Sequence, residues 1–161
     1  MSLGVHFAID ELTAARLLAA ADDDEVAALV EEIEMEMVGV DYCDSDKAWD
    51  AIHRCLTDGS LGYGNGDYPL NAMIFGGRQL YESDDHVVSL LGPQQVRDVA
   101  DAAARVDRDK LAAGYGRIDV KDYVQYGDED FAYTWSNFVE LVAFFQRSAA
   151  AGMHVIFTVG Q

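Results

Sequence analysis

The sequence predicts an α+β fold: a mostly helical single domain, residues 1–161, with a small sheet that includes the N- and C-terminal strands. Three observations carry this. Leu3, Val5, Phe7 and Ile9 alternate with Gly4, His6 and Ala8, the period of two expected of a strand with one firmly buried face. Met153 to Val159 is rich in β-formers and alternates only weakly, which fits a strand buried on both faces in the middle of a sheet. Between them the apolar residues recur mainly at helical spacing.

The elements follow in order. Asp10 offers a carboxylate to cap a helix running to about Ala20, and Asp22-Asp23-Asp24-Glu25 opens a second helix where the macrodipole favours negative charge. Val26, Leu29, Val30, Ile33 and Met37 form the apolar side of that helix, opposite Glu31, Glu32, Glu34 and Glu36. A third helix is signalled by Asp44 or Ser45 as cap, by Ala48, Trp49, Ile52, Cys55 and Leu56 as inner stripe, and by Gly59 as stop. Gly59 to Pro69 holds four glycines and reads as a mobile or ligand-facing loop. Leu70 to Phe75 fits a short strand or a helical turn after Pro69, with the helical turn preferred.

His86 to Leu91 reads as a strand, and Pro93 suits the first turn of the helix that follows, with Val96, Val99, Ala100, Ala103 and Val106 as its stripe. Asp107 caps a short helix that stops near Gly114 or Gly116. Tyr115 to Glu129 is polar and irregular. In the last helix Trp135, Phe138, Val142 and Phe145 form one stripe, widened by Val139, Leu141 and Phe144, before Gly152 ends it.

The formal net charge is −18, from 29 acidic and 11 basic residues. Such a surface repels phosphate backbones and anionic membranes, so neither nucleic acid nor membrane is an expected partner, whereas a basic protein is. The same charge also serves plain solubility. Only Cys43 and Cys55 carry thiols, no basic leader precedes the first strand, and no apolar run reaches the roughly 20 residues that span a bilayer. A cytoplasmic protein, monomer or homodimer, is expected.

Catalytic and nucleotide-binding motifs are absent, the histidines at 6, 53, 86 and 154 have no metal-ligand spacing, and no cofactor is implied. His6 and His154 lie in strands from opposite ends of the chain, which become neighbours only if those strands pair. The most specific local pattern is Asp46-Lys47-Ala48-Trp49-Asp50-Ala51-Ile52-His53, which sets Trp49 and His53 one helical turn apart. It reads either as the edge of a pocket or as ordinary helix chemistry, with Asp46 at the helix start, Trp49 in the core and His53 bonded locally. Tyr63, Tyr68, Tyr123, Tyr126 and Tyr133 lie in or beside loops, where a polar-tipped ring suits an interface or caps the core. Asp46, Lys47, Trp49, His53, Tyr63 and Tyr68 are therefore the candidate binding surface.

The order of motifs also resembles a family. A Gly4-containing strand precedes Asp46-Lys47-Ala48-Trp49-x-x-Ile52-His53-x-x-Leu56, then Pro69-Leu70 with Ile74-x-Gly76-Gly77, Leu91-x-Pro93, and a long aromatic helix ending at Gly152 before an apolar strand. Over nearly the whole chain this is similar to the YfbM-like family of bacterial domains of unknown function. The resemblance implies a stand-alone α+β domain and no defined activity, and it carries over Asp46, Lys47, Trp49 and His53 if that stretch marks a shared surface. Two functions fit: an acidic interaction module of the inhibitor or immunity type, and a small-molecule-binding protein or enzyme with a cleft near Trp49 and His53.

Overall fold

A computed structural model describes residues 2–36, 39–124 and 127–160. Strand β1 (Gly4–Ile9) leads into α1 (Glu11–Leu18) and α2 (Asp23–Met35), followed by β2 (Tyr42–Asp44), α3 (Ala48–Leu56) and α4 (Ala72–Phe75). Then come β3 (Arg78–Gln79), β4 (His86–Leu91), α5 (Pro93–Ala103), α6 (Arg108–Gly116), α7 (Asp128–Ala150) and β5 (His154–Gly160). The strands form one five-stranded sheet in the order β2-β1-β5-β4-β3, every neighbouring pair antiparallel. The two termini thus meet in the middle of the sheet, with β5 central, as its weak alternation predicts.

Helices cover both faces. Phe7, Ile9, Val88, Leu90 and Ile156 pack against Ala14, Leu17, Val26 and Ile33 of α1 and α2. On the other face Ala8, Val87, Leu91, Val155 and Phe157 meet the larger group of α3 to α7, with Ile52, Leu111, Phe138, Leu141, Phe144 and Phe145 at its centre. The expectation of one buried face for β1 is corrected by this double cover: Phe7 and Ile9 are buried on one side, His6 and Ala8 on the other.

Local signals explain most helix starts. Asp10, Asp22 and Asp107 each accept a hydrogen bond from the backbone N–H three residues on, at 2.8, 3.0 and 2.8 Å. Pro93 opens α5, and Gln95 reaches back to accept from the N–H of Gly92 at 2.9 Å. The start of α3 differs from expectation. Asp46 stands at φ 51°, the left-handed region, so the chain turns before the helix begins at Ala48 without a side-chain cap. Asp44 accepts instead from Asp46 N, and the Ser45 hydroxyl donates to Gly4 O.

The stripe of α7 is also rotated from the predicted one. Thr134, Phe138, Leu141, Phe144, Phe145 and Ser148 are buried, Trp135 and Val142 are half-buried, and Val139 is exposed. Leu70–Phe75 does end in a helical turn, α4. Met37 and Tyr126 lie outside the described residues.

Helix α3 sits between the sheet, α4, α6 and α7, and every residue from Ala48 to Cys55 is buried. Its contact with α6 is backbone to backbone at Gly114, where an added Cβ would stand 2.1 Å from the Cys55 carbonyl oxygen. Gly114→Ala is accordingly expected to lower stability by about 1–3 kcal/mol, the range for an overpacked core. A thermal melt checks this against Gly116→Ala, whose Cβ meets nothing within 4 Å.

Candidate interaction surface

The burial of α3 decides the fate of the predicted site. Trp49 is core: its Nε1 donates to Ser2 O at 2.9 Å, and its ring packs on Phe75 and Phe157 at 5.8 and 6.0 Å. Gly4 permits that approach, since a Cβ there would lie 2.6 Å from the indole. His53 is equally enclosed. Its Nε2 lies 3.0 Å from Gly62 O and 2.9 Å from Asn65 Oδ1, two acceptors, so this nitrogen carries the proton. Its Nδ1 is buried without a partner among the described residues, and burial lowers the imidazole pKa against the opposing pull of the two hydrogen bonds. Neither ring lines the cavities of about 470, 410 and 370 Å³ described below. Among the described residues α3 is buried from Ala48 to Cys55, so Trp49 and His53 present no exposed face.

The glycine-rich loop is tied down through the same histidine. While Asn65 Oδ1 accepts from His53, its Nδ2 donates to Asp58 Oδ1 at 2.8 Å, Ser60 O at 3.0 Å and Thr57 Oγ1 at 3.1 Å. Asp58, bonded first by the Ser60 hydroxyl and then by Asn65, has its pKa lowered to about 2. Removing this hub with Asn65→Ala strips several bonds at once and leaves His53 Nε2 the Gly62 carbonyl alone, so a loss of about 1–3 kcal/mol is expected. Amide exchange across residues 60–67 should quicken well beyond that of the α3 helix.

The remaining candidates scatter. Asp46 accepts from the Tyr133 hydroxyl, which in turn accepts from Lys47 N at 3.1 Å, fixing the entry of α3 to α7. Tyr68, half exposed, donates to Asp98 on α5 at 2.7 Å, and its phenol is pushed up to about 12 by burial and that carboxylate. Tyr63 is exposed, lies over Phe75 at 5.0 Å and borders a cavity. The two strand histidines separate as well. His6 pairs with Phe157 and His154 with Ile9, three positions apart along paired strands and therefore on opposite faces of the sheet.

The surface that the sequence does not reveal lies at the β3 edge. Asp23, in the first turn of α2, accepts from Glu82 N at 2.8 Å, Ser83 N at 3.0 Å and Ser83 Oγ at 2.7 Å, pinning the β3–β4 turn to α2. This brings exposed Asp22, Asp24 and Glu25 beside exposed Glu82, Asp84 and Asp85, residues some sixty positions apart in sequence. Two cavities flank the edge. One, about 410 Å³, is bordered by Leu17, Leu18, Asp22, Asp24, Arg78 and Leu80; the other, about 370 Å³, by Tyr63, Gln79, Tyr81, Asp84 and His86. A third, about 470 Å³, lies between α1, α2 and the end of α7, and ion pairs Arg16–Glu32 (3.1 Å) and Arg147–Asp41 (3.0 Å) stand on its rim.

Among the described residues no helix is long and apolar enough to cross a membrane, and no group of three or more His, Cys, Asp or Glu is placed to hold a metal ion. Comparison with solved structures finds the protein of unknown function YfbM from Escherichia coli, with a TM-score of 0.71 at 22% identity over 98% of this chain and 99% of that one. At that identity the likeness establishes the fold. No curated protein matches the sequence. The family profile for the domain of unknown function DUF1877 matches residues 1–158, and the chain, YfbM-like in fold and in sequence pattern, belongs to that family.

Proposed function

We propose that this protein is an acidic interaction domain that binds a basic partner protein, in the manner of an inhibitor or immunity factor. The observation that carries the reading is the gathering of Asp22, Asp24, Glu25, Glu82, Asp84 and Asp85 around the Asp23 bridge, on a chain of net charge −18. A field of one sign speeds encounter with an oppositely charged surface and weakens with salt. The enclosure of His53 and Trp49 speaks against a catalytic or small-molecule cleft on α3. We place the protein in a bacterial cytoplasm. Both cysteines are unpaired and buried, with their thiols pushed up to about 11 for Cys43 and about 12 for Cys55, mainly by that burial, which suits a reducing compartment.

Affinity capture from a lysate of the source organism, followed by reconstitution of the recovered protein with the purified domain, tests the reading. A basic partner whose affinity falls at least tenfold between 50 and 300 mM salt, roughly the slope of a few neutralised charges, is the expected result. A neutral or acidic partner bound independently of salt would refute it.

A further inference from the structure

Strand β3 closes one side of the sheet, with no strand beyond it among the described residues. Arg78 pairs with Leu90 and Gln79 with Ser89, and the ladder extends one step further through Leu80 N, which donates to Val88 O at 2.8 Å. In an antiparallel ladder the bonded positions alternate, so a bonded Leu80 turns the N–H and C=O of Gln79 away from β4, to the open side. By the same alternation the N–H of Tyr81 also faces outward, and among the described residues it enters no turn or loop backbone bond. An edge of this kind is a template for another strand.

Two cavities flank the edge, one of 410 Å³ bordered by Arg78, Gln79 and Leu80 and one of 370 Å³ bordered by Gln79 and Tyr81. An extended segment laid along β3 runs past both cavities, its successive side chains alternating between the two faces of the sheet. The character of both rims is negative: Asp22, Asp24 and Glu82 on one side, Glu82 and Asp84 on the other, with Arg78 the one cation between them. Two copies of this chain would each bring the same negative edge to the contact, and like charges disfavour edge-to-edge self-pairing.

From this geometry we propose that the outer edge of β3 is a docking site for an extended, lysine- or arginine-rich segment of a partner protein, which adds as a sixth strand beside Gln79 and Tyr81. The proposal rests on the reading of the protein as a binder of basic partners and names where and in what conformation the partner binds.

A fluorescein-labelled peptide of alternating lysine and valine, seven residues long, tests it by fluorescence anisotropy and amide exchange on the whole protein. Expected are saturable binding at low salt, slowed exchange at Gln79 and Tyr81, and at least tenfold weaker binding of the same peptide N-methylated at alternate residues, which keeps its charge but cannot pair as a strand. The Glu82→Lys, Asp84→Lys double variant, both positions being exposed, should weaken binding at least tenfold while its melting curve stays close to that of the parent. Equal binding of the N-methylated peptide, or protection at other amides, overturns the edge site and leaves the basic-partner reading standing. Equal binding of a glutamate–valine peptide overturns both. Failure of the lysine–valine peptide to bind overturns the edge site, with the captured partner then deciding the broader reading. Protection of Gln79 and Tyr81 that appears without peptide and vanishes on dilution assigns the edge to a second copy and overturns the proposal.

Discussion

Arg54→Ala is expected to cost about 3–5 kcal/mol, the range for removing one member of a buried ion pair, and so to leave a domain of this size close to unfolding. Asp50 and Arg54 lie one turn apart on α3, with Arg54 Nε 2.6 Å from Asp50 Oδ1, and their side chains are 9% and 5% exposed. The guanidinium also reaches the Gly59 carbonyl at 3.4 Å and stands 5.8 Å from the centre of the Tyr123 ring. Tyr123 and Tyr115 both donate to Asp130, and burial followed by that carboxylate raises the Tyr123 phenol. Truncating Arg54 strands the Asp50 carboxylate in the core, away from water. The double variant Asp50→Leu, Arg54→Met removes both charges and is expected to recover most of the loss, because the pair itself offsets little more than its own desolvation. Urea unfolding midpoints of the single and double variants check this. A single variant within about 1 kcal/mol of the parent would show that water reaches Asp50.

A second large effect is expected on acidification, through His6. Its ring is fully buried among Phe144, Phe145 and Phe157, with Nε2 2.8 Å from Met73 O and Nδ1 without a partner among the described residues. Burial, only partly opposed by the Met73 bond, lowers its pKa from 6.5 to about 4. Above pH 6.5 the ring is neutral in both the folded and the unfolded chain, and the full stability is present. Between 6.5 and about 4 the unfolded chain takes up a proton that the folded one refuses, so stability falls as pH falls; below about 4 both are protonated and the loss is complete. That interval is worth on the order of 3 kcal/mol. His53, also lowered by burial, adds in the same direction.

His6→Gln keeps an N–H donor and does not titrate in this range, whereas the carboxylates are common to both proteins. The stability of the parent relative to His6→Gln is therefore expected to shrink by about 3 kcal/mol from pH 7 to pH 4 in chemical denaturation. A constant difference would mean that the buried ring is not the acid-sensitive group.

Most of the fold was legible because it rests on short-range signals. Asp10, Asp22 and Asp107 announce their helices by the same carboxylate-to-backbone bonds that the structure contains, and the apolar run at residues 153–159 announces the central strand by its lack of alternation. Strands β2 and β3, three and two residues long, are too short for any period to register. The candidate site was less legible. The pattern from Asp46 to His53 has the spacing of a one-faced helix, and nothing local tells a one-faced helix from one enclosed on every side. Among the described residues Tyr63 alone of the six candidates borders the cavities at the β3 edge, and of the acids there only Asp22 to Glu25 gave a signal, that of a helix start.

The sequence by itself determined the class of fold, the capped helices, the presence of both terminal strands in a small sheet, and a surface of one sign, since each follows from neighbouring residues or from composition. Only the tertiary structure decided that Trp49 and His53 belong to the core, that His6 and His154 look to opposite faces, and that Asp23 joins α2 to the β3–β4 turn. These depend on contacts between residues far apart in the chain, where burial and hydrogen bonding are set by which elements meet rather than by which residues adjoin.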